Sequence, residues 1–163
     1  MKRMSGKTLI LWVEDPTYNP VAPQLSLLTP ARDISCAIAT GYTLNPTKSD
    51  VNTKQTICDD AEVETPIRYN YEGNLTFFRE GDMADNTSAF ARAFSFFGTE
   101  RRAGYLVRRS GLDRNIDLAV GQKVDSFKFI NDVYQDADDE ELVMFQTKFL
   151  QQGVMELDKA IVA

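Results

Sequence analysis

From Lys123 to the end of the chain, apolar and polar side chains alternate with a period of two. Phe127, Phe129 and Val133 are interleaved with Ser126, Lys128 and Asp132. Val143, Phe145 and Phe149 stand against Gln146 and Lys148, and Met155, Leu157 and Ile161 against Glu156, Asp158 and Ala160. A two-residue period places one set of side chains on one face of a strand. The acidic run at 136–141 and the triplet Gln151-Gln152-Gly153 interrupt the alternation as turns do. The spacing predicts three consecutive antiparallel strands with one apolar and one wet face. The rest of the chain must cover the apolar face.

Upstream, residues 7–14 read as a strand ended by Asp15-Pro16. The prolines at 16, 20, 23 and 30 make residues 15–30 mostly irregular, and residues 1–6 form a candidate N-terminal arm. In residues 33–44, Ile34, Cys36, Ile38, Tyr42 and Leu44 share one face of a second predicted strand. Residues 45–54 are polar and rich in turn formers. They predict a long hairpin loop that projects from the body to about residue 65, with a short strand at 55–60. Residues 64–80 hold the cleanest alternation, with Ile67, Tyr69, Tyr71, Leu75 and Phe77 on one side. A strand of that length is expected to bend at Glu72-Gly73-Asn74 and to cross between two sheets. The period changes to helical over 85–97, where Phe90, Phe94 and Phe97 form one core face beside Ala93. Asp85 or Asn86 is the expected cap, and Gly98 the stop. Strands follow at 103–109 and 116–120. About ten strands and one helix give a mainly β fold class: an antiparallel β-sandwich with one flanking α-helix, in a single domain over residues 1–163.

The 163 residues are 43% hydrophobic and 26% charged, the composition of a globular protein with a sizeable core. No stretch approaches the ~18 apolar residues of a membrane span. The apolar run after Lys7 is shorter than a signal-peptide core of ~7–15 residues, so the expected place of synthesis and residence is a cytoplasm. Cys36 and Cys58 are too far apart for a metal motif and read as small, reduced core residues. The formal net charge of −6 argues against gripping nucleic acid through phosphate neutralisation. It suits a surface that nucleic acid passes without adhering, or simply solubility.

No histidine is present. Ser-His and Cys-His nucleophile pairs and the commonest general base are therefore absent. No phosphate-binding glycine loop or paired-cysteine zinc motif occurs. The expectation is no catalytic residue, no metal site and no cofactor. The run at 136–141 matches a calcium loop in charge alone, since it lacks the glycine and the ligand spacing. The arginines at 101, 102, 108, 109 and 114 form the one basic cluster. They have few aromatics among them for base stacking and are expected to pair with acids of the same or a neighbouring subunit.

The order of the long strand "YNYEGNLTFFRE", the helix, "GYLVRR" and the C-terminal "GQKVDSFKFINDVY…LVMFQTKFLQQGVMELDKAIVA" resembles the major tail proteins of long-tailed phages. These are the tail tube proteins, especially those of phages infecting actinobacteria. The resemblance implies hexameric rings stacked into a hollow tube through which genomic DNA leaves the capsid, in a virion assembled in the host cytoplasm. It implies a homo-oligomer that also meets a tape-measure protein and tail-tip or terminator proteins. It also implies a loop that reaches the adjacent ring, here Asn45, Thr47, Lys48, Ser49, Asp50, Val51, Asn52, Thr53 and Lys54. Glu156 and Asp158, on the wet face of the last strand, are candidate lumen acids by alternation and charge. Alternatives are a secretion-system tube or tail terminator of the same fold, and a small-molecule-binding β-barrel.

Overall fold

The structure is a computed structural model; it describes residues 6–163 except Lys54, Asp59 and Met83. The expected arm at 1–6 lies, but for Gly6, outside the described residues. Eight strands are described: β1 (Thr8–Val13), β2 (Arg32–Asp33), β3 (Thr43–Asn52), β4 (Thr65–Phe78), β5 (Ala103–Ser110), β6 (Lys123–Asn131), β7 (Gln135–Asp136) and β8 (Met144–Ala160). Two helices accompany them, α1 (Leu25–Leu28) and α2 (Ala89–Phe97). All strands join one antiparallel sheet in the order β2-β1-β5-β6-β8-β4-β3, with β7 added to β8. The protein is mainly β with α2 on its flank.

The sheet makes two layers because β8 is shared. Its first part, Met144 to Phe149, pairs with β4, and from Phe149 onward it pairs with β6. The turn expected at Gln151-Gln152-Gly153 is therefore a bulge inside one long strand, with Gly153 at φ 78°. That conformation costs glycine little and other residues more. The crossing strand is β8, where the alternation of residues 64–80 had suggested β4.

Curvature brings distant strands together. β1 lies three strands from β8, about 14 Å if the sheet were flat, yet the Trp12 and Phe149 rings are 5.9 Å apart. Arg108 of β5 donates to the Leu44 carbonyl of β3, four strands away. The enclosed core holds Trp12, Tyr71, Phe77, Leu106, Phe127, Phe129, Phe145 and Phe149. Phe77 stacks on Phe145 at 5.0 Å, and Phe97 of α2 meets Trp12 edge-on at 5.3 Å. Rings in tilted and edge contacts fill this interior.

A second core lies on the other face of β1, β5 and β6. Leu9, Leu11 and Val13 of β1 pack there with Tyr18, Leu28, Val107, Val124 and Ile161. Residues 15–31 supply the cover, with α1 as one helical turn in an otherwise irregular segment. β1 is thus buried on both faces, which explains its continuous apolar run.

Several expectations are corrected. Residues 33–44 do not form one strand. After the two residues of β2, the backbone makes a 3-10 turn (Ser35–Ala37). It then bridges β4 through Ile38 and Phe77. Its hydrogen bonds run to both sides: Ile34 N–H to the Ile10 carbonyl and Ala39 N–H to that of Thr76. The segment closes the mouth between the layers. Cys36 and Cys58 are exposed rather than in the core. Residues 116–120 are loop, because the buried Arg109 guanidinium draws in the carbonyls of Asp113 at 2.9 Å and Ile116 at 2.8 Å. Residues 55–60 carry no strand among those described.

Candidate functional site

The residues expected as an irregular projecting loop, Asn45 to Asn52, belong to strand β3, because β4 supplies their backbone partners. The register runs from Thr43 opposite Asn74 to Asn52 opposite Thr65. Residues 53–64 connect β3 to β4, Thr53 being the first of them; Lys54 and Asp59 are outside the described residues. β3 is irregular: its register shifts between Thr47 and Asp50 and again before Val51. Asn70 Nδ2 mends this bulge by donating to the Lys48 carbonyl at 3.2 Å and to Asp50 Oδ1 at 3.1 Å. Pro46, Lys48 and two bulges on an edge strand all discourage a foreign strand from adding there.

β4 pairs with β8 only from Gly73 to Phe78. Its first half has β3 as its single strand neighbour among the described residues, so the two form a ribbon that continues past the sandwich. Gly73 marks the departure: a Cβ there would lie 2.9 Å from Phe129 Cζ, so only glycine lets the strand cross under that ring. Tyr71 anchors the root and is 4% exposed. Its hydroxyl donates to the Lys128 carbonyl at 2.7 Å and accepts from Gln152 N–H at 3.0 Å and Val154 N–H at 3.1 Å. Burial pushes this phenol's pKa up, opposed by those N–H groups.

Beyond Tyr71 the row Phe77, Leu75, Tyr71 continues with Tyr69 and Ile67 on the same side of the strand. Tyr69 is 70% and Ile67 68% exposed. The core-facing row of a buried strand thus runs on into solvent, with Ile57 and Val63 also exposed at the tip. Contiguous exposed apolar groups of this kind mark an interaction surface.

The second half of β8 is open to a further strand on one side, although Tyr71 already takes the N–H groups of Gln152 and Val154 and Asp125 that of Asp158. Residues 150–160 pair with β6 on one side and with no other strand among the described residues. Glu156 and Asp158 lie here, each beside a lysine: Glu156 3.5 Å from Lys159 and Asp158 2.7 Å from Lys123. Asp158 also has φ 54°, which breaks the simple alternation. Leu157 is exposed beside it. Nearby lysines offset much of the negative field that two free carboxylates would make.

On α2, Ala93 and Phe97 are buried. Phe90 and Phe94 are half-buried against Phe78 and Phe145, with the Arg79 guanidinium 3.8 Å over Phe94. The arginines of the basic cluster disperse. Arg101 meets Asp132, Arg102 meets Glu14 and Glu100, and Arg108 meets Asp125. Arg109 holds carbonyls, and Arg114 meets the Cys36 sulfur. The exposure of Ile67 and Tyr69 could not be read from sequence, because their alternation is that of a buried strand.

Among the described residues no group of three or more His, Cys, Asp or Glu side chains is placed to hold a metal. No helix is long and apolar enough to cross a membrane. A ribbon with an apolar face and an open strand margin is the equipment of an assembling subunit. No curated protein matches the chain in sequence. Among solved structures, a chain of the anti-feeding prophage baseplate, a six-fold symmetrised cryo-EM structure, has a similar fold. Its TM-score is 0.57 at 12% identity, over 98% of this chain and 97% of that one. The family profile described as phage tail tube protein matches residues 2–163. The chain therefore belongs to the phage tail tube protein family and is a structural component of a multi-subunit virion tail.

Proposed function

We propose that this chain assembles into hexameric rings that stack into the hollow tube of a long, non-contractile phage tail, of the kind found in phages of actinobacteria. Genomic DNA passes along the bore to the host without sequence-specific binding. Assembly takes place in the host cytoplasm with a tape-measure protein, and tail-tip and terminator proteins close the ends. The role is architectural rather than enzymatic.

The observation that carries this reading is the β3–β4 ribbon, with Tyr69 and Ile67 exposed on the continuation of a core row. Such a face gains about 25 cal/mol for each Å² of apolar surface covered. The adjacent ring is the occupant proposed for it. The open margin of β8 supports strand-to-strand joining around the ring. The six-fold symmetry named for the prophage baseplate chain sets the ring number to test. Glu156 and Asp158 remain the proposed lumen acids, their field softened by Lys159 and Lys123.

Negative-stain electron microscopy of the purified chain tests the reading. Tubes or six-membered rings are expected at high concentration. Particles that stay monomeric under all assembly conditions would refute it.

A further inference from the structure

A second pair of surfaces is complementary in charge. Phe96, on the outer side of α2, is clamped between two guanidiniums: Arg32 and Arg102 each place Cζ 4.0 Å from its ring centroid. Arg92, one helical turn before Phe96, lines the same groove of about 380 Å³. Arg102 is occupied by Glu14 and Glu100. Arg32 and Arg92 are exposed, and no carboxylate pairs with either among the described residues. Two unpaired guanidiniums at an aromatic groove are unexpected on a chain of net charge −6.

The opposite charge sits on an ordered hairpin. β7 pairs with β8 through Gln135–Gln146 and Asp136–Phe145. The tip closes through reciprocal hydrogen bonds between Asp139 and Leu142. Asp136, Asp138, Asp139, Glu140 and Glu141 are all exposed, and none is in an ion pair among the described residues. Five like charges held on one hairpin repel one another. A surface that offsets them would be gained by docking.

The base of the hairpin and the groove flank opposite sides of α2. Phe94 faces the hairpin side, with its ring 5.2 Å from that of Tyr134. Phe96 faces the groove. Two residues apart on a helix is about 200° of rotation. The base of the hairpin therefore lies on the other side of α2 from the molecule's own groove, and the two patches suit a head-to-tail contact between copies, which closes into a ring or extends as a stack.

We propose that the arginine groove beside α2 receives the acidic β7–β8 tip of a second copy of this chain. The contact rests on the self-assembly reading and adds a lateral or axial joint to it, separate from the ribbon. Arg32 and Arg92 supply the charge, Phe96 the apolar floor, and Glu140 and Glu141 the incoming carboxylates.

A charge exchange tests it. One variant carries Arg32→Glu and Arg92→Glu, a second carries Glu140→Lys and Glu141→Lys, and a third carries all four. These side chains are exposed and their charged groups make no ion pair among the described residues. Arg32→Glu gives up the contact with Phe96, so a small drop in melting temperature with a single cooperative transition retained is expected and serves as the fold control. Sedimentation velocity should show each two-site variant needing on the order of tenfold more protein to assemble. The four-site variant should return toward the unaltered chain, and added salt should weaken assembly of both. Unchanged assembly of either two-site variant, or no recovery in the four-site variant, overturns the contact while leaving self-assembly intact. A loss from the groove variant alone also overturns it and assigns the groove to another acidic body; binding of a labelled DNA duplex by the unaltered chain would identify that body. An unaltered chain that never assembles overturns the tube reading, and this contact with it.

Discussion

Tyr18 lies on the outer face of β5 and β6, its hydroxyl 2.7 Å from Ser126 Oγ, with both groups buried. Burial pushes its pKa up to about 12, with the Ser126 hydrogen bond opposing and Tyr105 adding a smaller rise. The neutral phenol is the form the folded state prefers. Its contribution is complete below pH ~10, where the unfolded chain is also neutral, and is lost as pH rises from ~10 through about 12. A loss of roughly 2–3 kcal/mol is expected across that window. Denaturant melts at a series of alkaline pH values should show it, and Tyr18→Phe should flatten the limb, leaving the smaller share from Tyr71 and Tyr105. At Phe97, the buried ring touches Trp12, Phe77 and Phe149. Phe97→Ala should cost about 3–5 kcal/mol in equilibrium unfolding. Phe90→Ala and Phe94→Ala, half-buried, should cost less. Residue type misled at the cysteines: small apolar side chains suit a core, but Cys36 falls on an exposed turn that closes the sandwich mouth.

At the level of elements, α2 starts later than the pattern suggested. Asp85 closes its own turn, accepting from Thr87 N–H at 2.8 Å and Oγ1–H at 2.7 Å, which lowers its carboxyl pKa. Ser88 is the residue that caps the helix, by accepting Ala91 N–H at 3.0 Å. Ser88→Ala should cost about 1 kcal/mol, whereas Asp85→Ala should leave helix stability nearly unchanged; paired thermal melts would separate the two. The ribbon gives a further expectation. Ile67→Ser with Tyr69→Ser should leave the subunit's melting temperature near that of the parent, because both side chains already face water, while stacking into tubes is lost. Tubes of normal length from that variant would remove the ribbon from assembly. Deleting residues 45–54 is a poorer test, since it strips an edge strand from β4. The helix and the long strand were legible because their periods repeat over many residues. β3 was not, because a two-stranded ribbon outside the core needs no apolar alternation.

The whole molecule is held by two cores that meet at β1. Trp12 and Ile10 point into the aromatic core, and Leu9, Leu11 and Val13 into the outer one. A strand buried on both faces couples the two halves, so unfolding is expected to be one transition. Trp12 fluorescence and far-ultraviolet circular dichroism should give coincident denaturant curves. A separate early loss of the outer cover would mean that residues 15–31 form an independent unit.

Local alternation by itself determined the mainly β class, the amphipathic helix and part of the aromatic core, namely Tyr71, Phe77, Phe97, Phe127, Phe129, Phe145 and Phe149. These properties follow from which faces neighbouring residues share. The missing histidine likewise excluded histidine-based catalysis without any coordinates. Only the tertiary structure decided which long strand bends between layers, that Tyr71 anchors the ribbon where the core row enters solvent, and which charges remain unpaired. Each depends on partners far away in the chain. A strand leaving its sheet has the same two-residue period as one inside it, and an arginine's partner is chosen by folding rather than by its neighbours in sequence.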